Sequence, residues 1–93
     1  MADICLHGYV SGKVQGVWFR QSTKLQADQC GVTGWAKNLP DGRVEVMLCG
    51  KEHNVRKVEE WLYKGSPHAQ VKQVSIGPES WQVFAGFETF KYC

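Results

Sequence analysis

The apolar residues of this chain change their period along its length, and the order of those periods limits the folds open to it. Over residues 4–10 they alternate, with Ile4, Leu6 and Val10 on one side and Cys5, His7 and Tyr9 on the other, the pattern of a half-buried strand. Residues 19–30 have helix-forming composition and run into Gly31, a natural terminator. Residues 32–38 read as a second strand, Leu39-Pro40-Asp41-Gly42 as a tight hairpin turn, and residues 43–49 as a third strand with Val44, Val46 and Leu48 on one face. Gly50 is expected to end that strand. Within residues 52–64, Val55, Val58, Trp61 and Leu62 recur at helical spacing, and Gly65-Ser66-Pro67 stops the helix. Residues 71–76 are predicted as a fourth strand broken by Gly77-Pro78, and residues 87–92 as a fifth.

The order is β-α-β-β-α-β with a short terminal strand. Two helices on one face of an antiparallel sheet predict a ferredoxin-like α/β sandwich with the first and third strands central. The 93 residues are expected to form one domain spanning 1–93 with a single core layer. Hydrophobic content of 43% and a net charge of +2 exclude disorder and argue against a nucleic-acid binder that lives on phosphate-backbone contacts. The longest apolar runs fall well short of the ~20 residues of a membrane span, and Asp3 and His7 interrupt the N-terminal candidate for a leader. A cytoplasmic chain without membrane partners is expected. The spacings of Cys5, Cys30, Cys49, Cys93, His7, His53 and His68 match no metal site, so no cofactor or metal is expected. With no heptad or flat apolar edge evident, a monomer is expected.

Chemistry concentrates in Val10-Ser-Gly-Lys-Val-Gln-Gly-Val-Trp-Phe-Arg20, followed eighteen residues later by Asn38. A strand runs into a glycine-punctuated turn, and an arginine stands where a helix begins. Helix-start and loop amides with a guanidinium make a site for a phosphate dianion. Gly16 is followed by Val17-Trp18, not by the Lys-Ser/Thr of a Walker loop, and the Gly-x-Gly spacing of a dinucleotide fingerprint is absent. In the predicted topology the first and second strands run parallel with the third between them. Their C-terminal ends leave the same sheet edge two strand spacings apart, about 10 Å, so Arg20 and Asn38 can flank one phosphate-sized ligand.

The 10–20 segment closely resembles the first signature of the acylphosphatases, and Gly34-Trp-Ala-Lys-Asn38-Leu-Pro-Asp-Gly42-Arg-Val44, with Gly50 beyond it, resembles the second. Length and element order agree across the chain. The resemblance implies hydrolysis of the carboxyl–phosphate bond of an acyl phosphate to carboxylate and inorganic phosphate, with no metal and no phosphoenzyme. It implies that Arg20 binds the phosphoryl group, that amides of Gln15, Gly16, Val17, Trp18 and Phe19 complete an anion cradle, and that Asn38 holds the attacking water in line. A carboxylate leaves readily, so positioning and charge stabilisation can carry the catalysis. Family members tend to end on an aromatic or basic residue whose carboxylate helps orient the site. Here Cys93 follows Tyr92, a departure from that pattern.

Gly12 and Gly16 are expected to serve the backbone, through positive φ or close approach to phosphate, and Gln15 to brace the loop. Trp18 is expected to pack, with contact to the acyl group as the alternative; Trp35 is expected to pack against the sheet and Trp61 in the core, while Cys30 closes a helix end in the core. Cys5 and Cys49, on neighbouring antiparallel strands and on the face away from the helices, can lie within disulfide reach. A reducing cytosol favours free thiols instead, so the bond is possible and not expected. The alternative function is a non-catalytic ferredoxin-like module that binds an anion or regulates. An RNA-binding version would need aromatics on both central strands, where the third offers Arg43, Glu45, Met47 and Cys49.

Overall fold

The computed structural model describes residues 2–90. Its elements are β1 (Asp3–Lys13), α1 (Phe19–Cys30), β2 (Thr33–Asn38), β3 (Val44–Lys51), α2 (Glu52–Lys64), β4 (Gln70–Glu79) and β5 (Phe87–Phe90). The sheet order is β4-β1-β3-β2-β5, so β1 and β3 are central as the periodicities predict. The β1–β3, β1–β4 and β2–β3 pairs are antiparallel, whereas β5 joins β2 in parallel and makes the sheet mixed. The rest of the predicted fifth strand, with Tyr92 and Cys93, lies outside the described residues.

Three boundaries differ from the sequence expectation, each because of what pairs alongside. Gly77-Pro78 does not break β4, which runs on to Glu79 with Pro78 opposite Leu6. As an edge strand β4 needs only one row of hydrogen bonds, so a proline without an N–H is accommodated on the free side. Gly50 does not end β3, since Ile4 still pairs with it and Asp3 with Lys51. β1 continues past Val10 through a register shift between Ser11 and Gly12. Gly12 has φ 119°, and a Cβ there would collide with the Gln70 carbonyl and the Lys72 amide. The positive φ is as expected, and the glycine also admits the close passage of β4.

Alternation along the strands divides the side chains between two faces. Leu6, Val10, Ala36, Val44, Val46 and Leu48 form one buried cluster with Phe19 and Ala27 of α1 and Val55, Val58 and Leu62 of α2. Trp61 half-packs on that core with its ring 5.6 Å from Phe19, and Cys30 is partly buried against it as a free thiol. Full burial of each such aliphatic chain contributes about 1.5–3 kcal/mol. Helix α1 ends in a Schellman arrangement, in which Gly31 N–H donates to Asp28 O and Val32 N–H to Ala27 O.

The opposite face holds a smaller cluster of Cys5, Met47 and Cys49, covered by Trp35 and Phe84. Cys5 and Cys49 are register partners and are joined by a disulfide, Cα–Cα 4.1 Å. Gln82 N–H donates to Cys5 Sγ at 3.3 Å, which lays the 80–86 connection across the bond. Among the described residues no helix is long and apolar enough to cross a membrane.

Candidate active site

The turn between β1 and α1 is held by side chains that alternate in direction. Val14, Val17 and Phe19 are buried in the core, whereas Gly16 and Trp18 face solvent. Its φ angles alternate in sign as well: Gly16 lies at 74° and Trp18 at 62°, with Val17 between them outside the positive region. Alternating handedness turns successive N–H groups toward one concave side, the arrangement that binds anions. At Gly16 a Cβ would meet nothing within 4 Å, so the glycine is there for its φ and not for space. The first in-helix amide to find an acceptor is Ser22 N–H, on Trp18 O at 2.9 Å. The amides of Phe19, Arg20 and Gln21 precede it and carry the positive end of the helix dipole, with no side-chain cap at Trp18.

Two tethers fix this turn. Ser66 Oγ, buried in the loop after α2, donates to Val17 O at 2.7 Å. Gln15 Nε2 donates to Leu39 O at 2.8 Å and to Arg43 O at 2.9 Å, both in the β2–β3 turn. That turn closes through Leu39 N–H on Arg43 O and Gly42 N–H on Leu39 O. Asp41 accepts from the Arg43 amide and guanidinium, which together hold its carboxyl below the ordinary carboxylate value. The sequence signalled a brace at Gln15. Ser66 was legible only as part of a helix stop, because nothing local marks a contact made across 49 residues.

Asn38 ends β2 on the helix-bearing face, by the same alternation that buries Gly34 and Ala36. It is 5% exposed, and its Oδ1 is buried without a hydrogen-bond partner among the described residues. Such an acceptor costs about 1–3 kcal/mol. Helix α1 packs against β2, and Gln15 ties the turn to Leu39, the residue after Asn38. Arg20 stands half-buried in the first turn of α1 and lines an open cleft of ≈ 320 Å³ with Val14, Gly16, Trp18, Phe19 and Gln21. Among the described residues no carboxylate lines the cleft and none forms an ion pair with Arg20. A larger hollow of ≈ 530 Å³ between α1 and α2 presents Lys64 as its sole charged group. Among the described residues no three His, Cys, Asp or Glu side chains are grouped to hold a metal.

Trp18 departs from expectation. It does not pack: its side chain is 75% exposed, and it is the one non-glycine among the described residues at positive φ. Holding an L-residue there costs on the order of 1 kcal/mol. The conformation follows from the neighbours, since Val17 and Phe19 both turn inward and Ser66 fixes the Val17 carbonyl.

Comparison with known proteins identifies the arrangement. The Acylphosphatase family model matches residues 6–90. An acylphosphatase of Pseudomonas aeruginosa is 49% identical over 94% of this chain and 96% of its own length. One from Chromohalobacter salexigens is 54% identical over 80% of this chain and 82% of its own. The structure of an acylphosphatase from Coxiella burnetii superposes with a TM-score of 0.90 at 39% identity, covering 94% of this chain and 92% of that one. That of Bacillus subtilis gives 0.83 at 31% identity, covering 95% and 97%. With a family model and relatives that each cover most of its length, this chain belongs to the acylphosphatase family.

Proposed function

We propose that Arg20 and the amides of residues 15–19 bind the phosphoryl group of an acyl phosphate while Asn38 directs a water in line at phosphorus. The reaction is that of the family: the carboxyl–phosphate bond is hydrolysed to a carboxylate and inorganic phosphate. The observation that carries the assignment of roles is the buried, unpartnered Oδ1 of Asn38 at the sheet edge that the phosphate turn shares. An amide oxygen accepts a hydrogen bond from water and aims its lone pair, yet takes no proton at neutral pH. The proton passes to a phosphoryl oxygen of the substrate.

Charge develops on equatorial oxygens that face converging N–H groups and the Arg20 guanidinium, so stabilisation is built in before the substrate arrives. The departing carboxylate needs no general acid, because its conjugate acid titrates near 4. For the same reason the reaction runs without metal. In this reading the enzyme acts as a monomer, supported by the use of both helices' apolar stripes against their own sheet, and works in the cytoplasm, where reductant opens the Cys5–Cys49 bond.

The test is hydrolysis of benzoyl phosphate in the presence of chelator. Wild type turns over; Arg20→Gln loses about 10³-fold in kcat/KM and no longer binds inorganic phosphate. Asn38→Ala loses about 10²-fold or more in kcat yet still binds inorganic phosphate. Dependence on added metal, or equal loss of phosphate binding in both variants, would refute the assignment.

A further inference from the structure

We propose that Trp18 selects the acyl group, so that this enzyme discriminates in favour of aromatic over small aliphatic acyl phosphates; the inference rests on the phosphate-cradle reading above. Every other apolar residue of the turn, Val14, Val17 and Phe19, is buried, and Trp18 alone presents an apolar surface beside Arg20 in the cleft. A large indole left 75% in water at a strained φ belongs to neither buried cluster and gains little for the fold. Its position matches the geometry of the reaction. In-line displacement puts the attacking water and the leaving oxygen on opposite sides of phosphorus. Asn38 holds the water side, and it is absent from the cleft lining that contains Trp18. The acyl group therefore departs toward the mouth of the cleft that the indole borders.

There, a planar aromatic acyl group meets a π face and buries surface against it, whereas an acetyl methyl covers little of the ring. The other outward side chain of the lining, Gln21, offers no comparable surface. The same arrangement explains how an exposed tryptophan at a left-handed position is retained: its energetic return comes when the substrate is bound.

The test compares kcat/KM for benzoyl phosphate and acetyl phosphate in wild type, Trp18→Gly, Trp18→Asn and Trp18→Phe. Glycine and asparagine both tolerate the φ at this position, so the turn keeps its shape. The quantity read is the change in the benzoyl-to-acetyl ratio from wild type to variant, in which the intrinsic reactivities of the two anhydrides and any change in the cradle common to both cancel. The ratio falls about tenfold in Trp18→Gly and Trp18→Asn and stays within about twofold of wild type in Trp18→Phe. A ratio unchanged in the glycine and asparagine variants overturns the role of the indole while leaving the cradle intact. A wild type that hydrolyses neither anhydride overturns the cradle reading, and this inference with it.

Discussion

Reduction of the Cys5–Cys49 bond gives a stability change whose size follows from topology. The bond closes a loop of sequence separation 44 between the two central strands. In the chain-entropy model, releasing that loop in the unfolded state costs the native state ~4 kcal/mol. Unfolding entropy of about 2 cal/mol/K per residue converts this, for a chain of this length, into a fall of roughly 20 °C in Tm. The native state itself should change little. Both sulfurs are buried among Met47, Trp35 and Phe84, and eight consecutive register pairs hold β1 to β3 whether or not the bond is present. The assay is thermal unfolding with and without reductant, with intact mass reporting the gain of two hydrogens. The Cys5→Ala/Cys49→Ala variant falls further than the reduced wild type, because it adds a small cavity. A reduced protein, verified by mass, whose Tm stays within about 5 °C of the oxidised one would refute the entropic account. A mass indifferent to reductant would show that no bond forms.

Two further outcomes test the tethers of the phosphate turn. Ser66→Ala leaves the Val17 carbonyl buried without a donor, and should cost about 1–3 kcal/mol in urea unfolding; it should also weaken inhibition by inorganic phosphate, because Val17 sits in the cradle. Asp41→Asn should destabilise the β2–β3 turn at neutral pH and not in strong acid. The sign follows from the lowered carboxyl: its contribution is fully present above the unfolded value near 3.8 and is lost as pH falls through the lower folded value. Urea midpoints of the two proteins should converge as pH falls through that lowered value, and a gap that persists in strong acid would count against the Asp41–Arg43 pairing as its source.

Much of this architecture is legible because periods of two and of three-to-four are hard to confuse over elements as long as β3 and α2. The inward placement of Asn38 also follows from alternation alone, since Ala36 two residues earlier must face the core. What the sequence hid was non-local. Pro78 reads as a breaker on local pattern, and only the predicted order with β1 and β3 central marks β4 as an edge strand that tolerates it. Trp18 reads as packing because tryptophan buries area readily and has no left-handed propensity. Its exposure is imposed by two inward neighbours and a serine 49 residues from Val17. The β2–β5 pairing was equally hidden, since a four-residue strand carries too little pattern to declare its direction.

The site depends on where β3 lies. Because β3 runs antiparallel between β1 and β2, the turn leaving β1 and the turn leaving β2 emerge at one edge, and a single side chain can bridge them. Gln15 does so with one NH₂ group, giving its two hydrogens to carbonyls on either side of the hairpin turn. With Val17 O held from a third loop by Ser66 and Val17 and Phe19 seated in the core, the proposed cradle is fixed to three parts of the fold before any anion enters. Amides that are already convergent need little reorganisation as charge builds on phosphorus, which is where electrostatic catalysis gains most. Placing the proposed site at an edge where three loops brace one another gives that rigidity without removing any side chain from the main core.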